Sequence, residues 1–379
     1  MSSPYSALRV IFFGSAFLLV CLTSTKILFA QTGWQQEWDK TLRAAEAEGQ
    51  LVLYGCCYEY DRILEVFKKK YPKIKTATVL GSGGQLSTRL LAERRGEKYL
   101  ADVFSAGANT IHDALYHKAN VLQPITPVLI LPEVLDQSKW YGGEHRYIDP
   151  EKRYIFAFVA NSQSGHVQYN LNQQVNAAEF SSFWDLLNPK WKSKMASLDP
   201  TSFGMGAALQ FFYYQPELGP AFLRRLYGEM QITLSRDARQ MTDWLAAGKF
   251  ALCIRCNAGS AVGKAVEQGL PIGSLDTENW KEGGSSSAAG GTLGLPTQAP
   301  HPNAAKVFVN WFLSREGQMA LQKYGRPDAH NSRRNDISKD DVDPYNRLDP
   351  KRKYFDLAKP EYQDLTPIFK LIRTVLPQK

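Results

Sequence analysis

A regular alternation of short apolar strands with amphipathic helices constrains this chain most. Gln50 to Tyr54 is apolar and follows a helical segment that stops at Gly49, and Tyr60 to Tyr71 repeats its apolar residues at helical spacing. A strand at Lys75 to Leu80 and a helix from Gln85 continue this order. Because strands separated by helices usually pair in parallel, we predict an α/β fold of mostly parallel sheets flanked by helices.

The alternation restarts after the proline-rich stretch between Pro124 and Pro132, with strands at Phe156 to Ala160, Lys194 to Leu198 and Phe250 to Ile254. The chain has 379 residues, more than the roughly 250 to 300 at which a single core usually divides. We therefore predict two lobes. The glycine- and serine-rich segment 283–291 has the composition of a surface linker. The more specific alternative is that this segment is the hinge between the lobes.

Residues 1–30 have the composition of a secretory signal peptide. Arg9 and Lys26 surround the apolar run Val10 to Leu22, without any acidic residue. That run is shorter than the roughly 20 apolar residues of a membrane-spanning helix, so we expect cleavage and export. Lipid attachment at Cys21 is a less favoured alternative, because a bulky valine precedes this cysteine.

The formal net charge of the full chain is +8, and its lysines and arginines form no dense block. This distribution argues against a nucleic-acid-binding surface. A mild basic excess favours an anionic ligand, although ordinary solubility accounts for it equally well.

Four cysteines follow the signal peptide: Cys56, Cys57, Cys253 and Cys256. In an oxidising compartment an even number predicts disulfides. The possible bonds are a vicinal Cys56–Cys57 pair, a Cys253–Cys256 loop, or one bond between the lobes. Unpaired thiols and a soft-metal site are the alternatives, and the metal site is disfavoured because no histidine lies in these segments.

Patterns of enzymatic chemistry are missing from the sequence. It contains no G-x-S-x-G, H-E-x-x-H or P-loop pattern. We therefore predict that the protein is not an enzyme and carries no cofactor, with a secreted hydrolase as a weak alternative.

Several ordered segments resemble the periplasmic solute-binding proteins of ABC importers, in the group that includes the ferric-iron receptors. The segments are AAEAEGQLVLYG, VLGSGGQLSTRLLAERRGEKYLADVFSAG, DPTSFG, RDARQMTDWLAAGKFAL and APHPNAAKVFVNWFLSREGQ. The resemblance implies a type II two-lobed periplasmic-binding-protein fold, in which hinge strands join the lobes and a small ligand is held in the cleft between them. An ABC importer permease in the inner membrane is the implied partner, and we expect a monomer.

On this fold we assign residues 31–156 to lobe 1 and residues 157–284 to lobe 2. Residues 285–379 are expected to return to lobe 1, with the C-terminal helices packing near the hinge.

Ligands of such sheets bind beyond the carboxyl ends of the strands, where loops lead into helix N-termini. The candidate ligand-binding residues at these positions are Cys57, Tyr58, Gly81, Ser82, Gly83, Gly84, Ser105, Ala106, Thr201, Ser202, Arg236, Arg255 and Asn257. No catalytic residue and no metal ligand is among them. The same residues also fit purely structural roles: an ordinary tight turn at 81–84, a helix cap at Thr201 and Ser202, and surface or interlobe salt bridges for the arginines.

In ferric-binding relatives, adjacent tyrosines lie at the strand end that reads ALCIRCNA here, at residues 251–258. Because no tyrosine is present, we predict a small anionic or zwitterionic solute instead of ferric iron. A receptor for iron or a soft metal, and a ligand-sensing module with the same fold, remain the alternatives.

Overall fold

The computed structural model describes residues 33–162, 167–201, 205–256, 265–325 and 330–376. The predicted signal peptide and the candidate residues Ser202 and Asn257 lie outside these ranges. The strands are β1 Gln50–Gly55, β2 Lys75–Leu80, β3 Val103–Ala106, β4 Leu122–Gln123, β5 Arg146–Tyr147, β6 Ile155–Ala157, β7 Asn161–Ser162, β8 Val167–Asn170, β9 Met195–Leu198, β10 Thr233–Ser235, β11 Leu252–Ile254, β12 Ile272–Ser274, β13 Gly284–Ser287, β14 Thr292–Pro296 and β15 Tyr354–Asp356.

The first helix spans residues 33–48. The further helices of eight or more residues are Tyr60–Lys70, Gly83–Arg95, Ile111–Lys118, Met205–Tyr214, Gly219–Glu229, Ala238–Ala246, Pro302–Leu313, Arg315–Tyr324 and Thr366–Val375. Ile111–Lys118 is π-helical and continues the short α-helix Ala108–Thr110. Within the described ranges, no helix combines the length and the apolar character that crossing a membrane requires.

The first sheet has the order β2-β1-β3-β14-β6-β5, and β4 also pairs with β14. The strand β1 pairs in parallel with β2 and β3, as the strand–helix alternation predicts. In contrast, β14 is antiparallel to both β3 and β6, and β5 is antiparallel to β6. The sheet is therefore mixed, because its second half consists of strands by which the chain leaves this lobe and returns to it.

The second sheet has the order β10-β9-β11-β8-β12. Its strands β9, β10 and β11 are parallel, whereas β8 runs antiparallel to its neighbours β11 and β12. Parallel strands with helices between them thus form one side of each sheet, and the predicted α/β class is confirmed.

Each sheet has its own hydrophobic core. The first core packs the helix Pro302–Leu313 against the helix Tyr60–Lys70, with buried aromatic rings at Phe67, Phe308 and Trp311. The second core surrounds Phe183 and Phe212. The C-terminal helix contributes three buried residues to this second core: Ile368, Leu371 and Ile372. Whereas we expected residues 285–379 to return to lobe 1, their last helix packs in the other lobe.

A third, three-stranded sheet of order β15-β13-β7 connects the lobes. The strand β7 leads from β6 of the first sheet to β8 of the second, and β13 leads back toward β14. The strand β15 precedes the C-terminal helix of the second core. The glycine- and serine-rich segment is thus a crossing strand, and Gly284, Ser285 and Ser286 within it are buried.

A buried asparagine attaches the helix Pro302–Leu313 to the loop that follows β4. The side-chain oxygen of Asn310 accepts hydrogen bonds from the backbone N–H groups of Ile130 (2.7 Å) and Leu131 (3.0 Å). Its side-chain nitrogen donates to the carbonyls of Val128 and Lys306. One side chain therefore satisfies a buried turn that has no strand partner.

We expect Asn310→Leu to lower the free energy of unfolding by about 3 kcal/mol, because it leaves buried backbone groups without partners at nearly constant side-chain volume. Urea denaturation measures this change. The matched control Asn172→Leu, at an exposed position, should change the free energy by less than about 0.5 kcal/mol. Equal effects of the two substitutions would contradict this role of Asn310.

Candidate functional site

The carboxyl ends of three parallel strands meet at one edge of the first sheet. In the register of β1 with its neighbours, Gly55 lies opposite Leu80 on one side and Ser105 on the other. Cys57 and Tyr58 follow β1, the candidates at 81–84 follow β2 and begin the next helix, and Ser105 and Ala106 are the last two residues of β3. The structure therefore brings the candidates of lobe 1 together, as the strand–helix order predicts.

A vicinal disulfide between Cys56 and Cys57 follows β1 directly. Cys56 is buried, whereas Cys57 is exposed and adopts the left-handed conformation, with φ 75°. Gly290, which precedes β14, lies against this pair, because a Cβ atom added there would come within 2.7 Å of the Cys57 sulfur. A glycine at 290 thus lets the returning chain pass directly over the disulfide.

Two candidate side chains near this edge, those of Tyr58 and Ser105, are buried. Tyr58 is buried, and its ring lies 5.0 Å from the ring of His330. The buried Ser105 hydroxyl accepts a hydrogen bond from Tyr60 and donates one to the carbonyl of Thr292 (2.9 Å). These side chains support the edge from beneath instead of lining it.

The turn 81–84 begins the helix Gly83–Arg95. The exposed Ser82 is its N-cap, and the Ser82 and Gln85 side chains cap each other's backbone N–H groups. Gly83 is tightly packed, because a Cβ there would lie 3.1 Å from the Thr110 hydroxyl and 3.3 Å from the Ala106 methyl group. Helix capping and close helix packing therefore account for the sequence of this turn, while Ser82 stays at the surface.

In lobe 2, two candidates bind the same carboxylate. The Thr201 backbone N–H (2.9 Å) and hydroxyl (2.6 Å) donate to one oxygen of Asp199, and the exposed Arg236 donates to the other (3.0 Å). Burial alone would raise the pKa of the Asp199 carboxyl, but the hydrogen bonds from Thr201 and Arg236 lower it overall. The loop after β9 is thus held by an ion pair with the loop after β10.

Arg255 directly follows β11 and is half-buried, in a left-handed conformation with φ 58°. Burial lowers the pKa of its guanidinium to about 10, opposed by the nearby Tyr227 hydroxyl. The guanidinium therefore keeps its positive charge at neutral pH. Tyr227 is hydrogen-bonded to the buried Ser197 of β9, the neighbouring strand (3.1 Å).

A second disulfide joins Cys253 to Cys256 and closes the four-residue segment that presents Arg255. Both cysteines are buried, and the Cys256 sulfur lies 3.9 Å from the Met241 sulfur. A closed loop of this kind supports the strained backbone at Arg255. The vicinal pair and the Cys253–Cys256 loop, two of the bonds that the sequence left open, are therefore both present.

In the part of the chain that the structure describes, no group of three or more histidine, cysteine, aspartate or glutamate side chains is placed to hold a metal ion.

The segment before the C-terminal helix has no sequence pattern that predicts a functional role. This segment reaches the lobe 1 edge, where the side chain of Asn109 donates to the side-chain oxygen of Gln363 (3.2 Å). The contact joins residues 254 positions apart, and no local pattern predicts it.

A mixed sheet in each lobe, crossing strands between them and candidate residues at the strand ends define a two-lobed solute receptor. Residues 58–319 match the model of the bacterial extracellular solute-binding protein family. Because this match spans well over half of the chain, the protein belongs to that family, which serves ABC importers. The predicted family and type II fold are confirmed.

Solved structures share this fold. The FutA (IdiA) protein of Trichodesmium in complex with iron and citrate is 19% identical, with a TM-score of 0.64, and the match covers 86% of this chain and 99% of that one. The ferric binding protein of Campylobacter jejuni is 17% identical, with a TM-score of 0.61 and the same coverages. AfuA of Actinobacillus pleuropneumoniae, with bound fructose-6-phosphate, is 19% identical, with a TM-score of 0.59. That match covers 86% of this chain and 97% of AfuA.

Thiol titration tests both disulfides in protein that lacks residues 1–30. We expect no reactive thiol in denaturant without reductant and four after reduction, because each cysteine is bonded to a near neighbour. The double variant Cys253→Ser, Cys256→Ser should yield two thiols after reduction. Four thiols that react in the native, unreduced protein would rule out these bonds.

Proposed function

We propose that this solute-binding protein captures a small anionic or zwitterionic solute between its lobes in the periplasm. It then delivers the solute, as a monomer, to an ABC importer permease in the inner membrane. The proposed site combines the exposed disulfide at Cys57 and the turn at Ser82 with Thr201, Arg236 and Arg255 of lobe 2. Ser202 and Asn257, which lie outside the described residues, complete it.

Arg255 carries this proposal. Its guanidinium is charged at neutral pH and half-buried at the end of a central strand. A partly desolvated guanidinium binds carboxylate or phosphate oxygens more strongly than an exposed one, and it offers a planar fork of donors. Cys253 and Cys256 flank Arg255, and the disulfide between them limits the backbone conformations of Arg255. Less conformational entropy is therefore lost when a ligand binds.

The exposed face of the Cys56–Cys57 disulfide would supply a small, rigid, weakly polar surface on the lobe 1 side. The contact between Cys57 and Gly290 couples this surface to the returning crossing segment. Movement of the crossing strands would therefore shift the position of the disulfide at the proposed site.

Two of the similar structures support an anionic solute. They hold organic anions, citrate and fructose-6-phosphate, and the one with citrate also holds iron. The strand end 251–258 of this chain contains no tyrosine, so a phenolate-bound ferric ion lacks its ligands there. A metal chelate held through its organic anion is the form of iron that this site could accept.

The solute class can be tested by native mass spectrometry of freshly purified protein, followed by a thermal-shift screen. The screen contains carboxylic acids, sugar phosphates, amino acids, neutral sugars and ferric citrate. We expect anionic or zwitterionic compounds to raise the melting temperature, since a ligand that binds only the folded state stabilises it by mass action. Stabilisation by neutral sugars alone, or by free metal ions alone, would refute the proposed ligand class.

For the best compound of that screen, Arg255→Gln should weaken binding at least about tenfold, because a charged hydrogen bond contributes roughly 1.5 to 3 kcal/mol. Isothermal titration calorimetry measures the dissociation constant. Arg255→Lys should lie between wild type and the glutamine variant, since it keeps the charge and loses the fork. The control Arg225→Gln removes an exposed arginine of the same lobe and should bind normally. Wild-type affinity in Arg255→Gln would exclude Arg255 from the site.

A further inference from the structure

A second arginine that is accessible to little solvent lies in lobe 1. The Arg333 side chain is almost completely buried, with 1% of its surface exposed. One terminal nitrogen, Nη2, lies 3.5 Å from a carboxylate oxygen of Asp356. Its Nε and Nη1 atoms make no hydrogen bond to any residue that the structure describes. Three of the five N–H groups of this guanidinium are therefore available to an acceptor.

Arg146 shares the same carboxylate. Its Nη2 atom lies 3.1 Å from Asp356 and 2.5 Å from the half-exposed Glu144. The Nε atom of Arg146 is also buried without a hydrogen-bond partner among the described residues. Two largely buried guanidinium groups thus face one largely buried carboxylate.

The charge balance of this group is incomplete. Glu144 is exposed to solvent, which screens its interaction with Arg146. A buried charge without full compensation is costly, and a buried donor without an acceptor adds to that cost. Desolvation lowers the pKa of the Arg333 guanidinium, Asp356 opposes this shift, and repulsion from Arg146 adds to it.

The backbone holds Arg333 in place from both sides. Its N–H donates to the carbonyl of Phe158 (2.8 Å), and its carbonyl accepts from the N–H of Tyr141 (2.6 Å). The ring of Tyr141 lies beneath the guanidinium, with 5.4 Å between the guanidinium carbon and the ring centroid. The donors are thus positioned before any ligand arrives.

The register of the first sheet places Arg146 at the same edge as the proposed solute site, and the strand order separates the two. Ala106, Thr292, Ala157 and Arg146 lie opposite one another in successive strands. The solute-site loops follow β1, β2 and β3, whereas Arg146 begins β5, beyond the strands β14 and β6 from which the crossings extend. The arginine pair therefore lies on the other side of the crossing strands.

The crossing sheet adds a hydroxyl to this group. Ser286 of β13 is paired with Asp356 of β15, so their side chains project from the same face. The Ser286 hydroxyl is buried and makes no hydrogen bond to a described residue.

We propose that Arg333 and Arg146, with Ser286, bind a small inorganic oxyanion such as phosphate or sulfate. A tetrahedral oxyanion presents several acceptor oxygens, which suits donors that come from separate side chains. The bound anion supplies the negative charge that Asp356 alone does not. Because Asp356 belongs to a crossing strand, the anion would also stabilise the junction of β15 with lobe 1.

Anion-dependent thermal unfolding of the whole exported protein tests this site. Sodium phosphate and sodium sulfate are compared with sodium chloride at equal ionic strength. We expect 50 mM phosphate or sulfate to raise the melting temperature of wild type by about 3 °C. The Arg333→Gln variant should lose this increment, and the control Arg62→Gln, at an exposed position, should keep it.

An equal increment in Arg333→Gln and wild type, or no increment in wild type, would overturn the proposal. An equal melting temperature in chloride would show a general salt effect and refute the oxyanion site. If Arg333→Gln does not fold, the phosphate affinity of two other variants tests the site. Arg146→Gln should weaken phosphate binding, and Asp356→Asn should tighten it about tenfold by removing a repelling charge. Unchanged affinity in both variants would exclude the site, independently of solute binding at Arg255.

Discussion

The backbone pairing within the crossing sheet determines how the two lobes are joined. The strand β13 pairs with β7 on one side and with β15 on the other, through Ser286 with Ser162 and Gly284 with Tyr354. These pairs fix where each crossing segment leaves its lobe. The strand ends of both sheets, and with them the disulfide at Cys57 and the guanidinium of Arg255, are positioned relative to this sheet.

Much of this arrangement could be predicted from the sequence, because local patterns specify it. The periodicity of β1, β2 and their following helices predicts parallel pairing, and parallel pairing predicts that Cys57 and Ser82 lie at one edge. The segment 284–287 was harder to predict, because glycine and serine are poor strand formers. Its strand is made by its partners β7 and β15, which come from distant parts of the chain.

The remaining differences also arise from long-range contacts. Nothing near Ser105 in sequence shows that its hydroxyl is bonded to Tyr60 and Thr292. The amphipathic helix Thr366–Val375 predicts burial of one face but does not specify the lobe against which that face packs. The dipeptide Arg333-Arg334 is typical of surface charge, yet both side chains are buried, and Arg334 is bonded to Asp336 and to backbone carbonyls of lobe 1.

The C-terminal helix in the second core makes β15 a third covalent passage between the lobes. Two adjacent ribbons can twist about each other as readily as they bend. A third ribbon, paired alongside them, widens the connection into a strip, and a wider strip resists bending within its own plane far more than bending across its face. We therefore expect the lobes to move by bending across the face of this strip, which would bring the two strand-end edges together or apart.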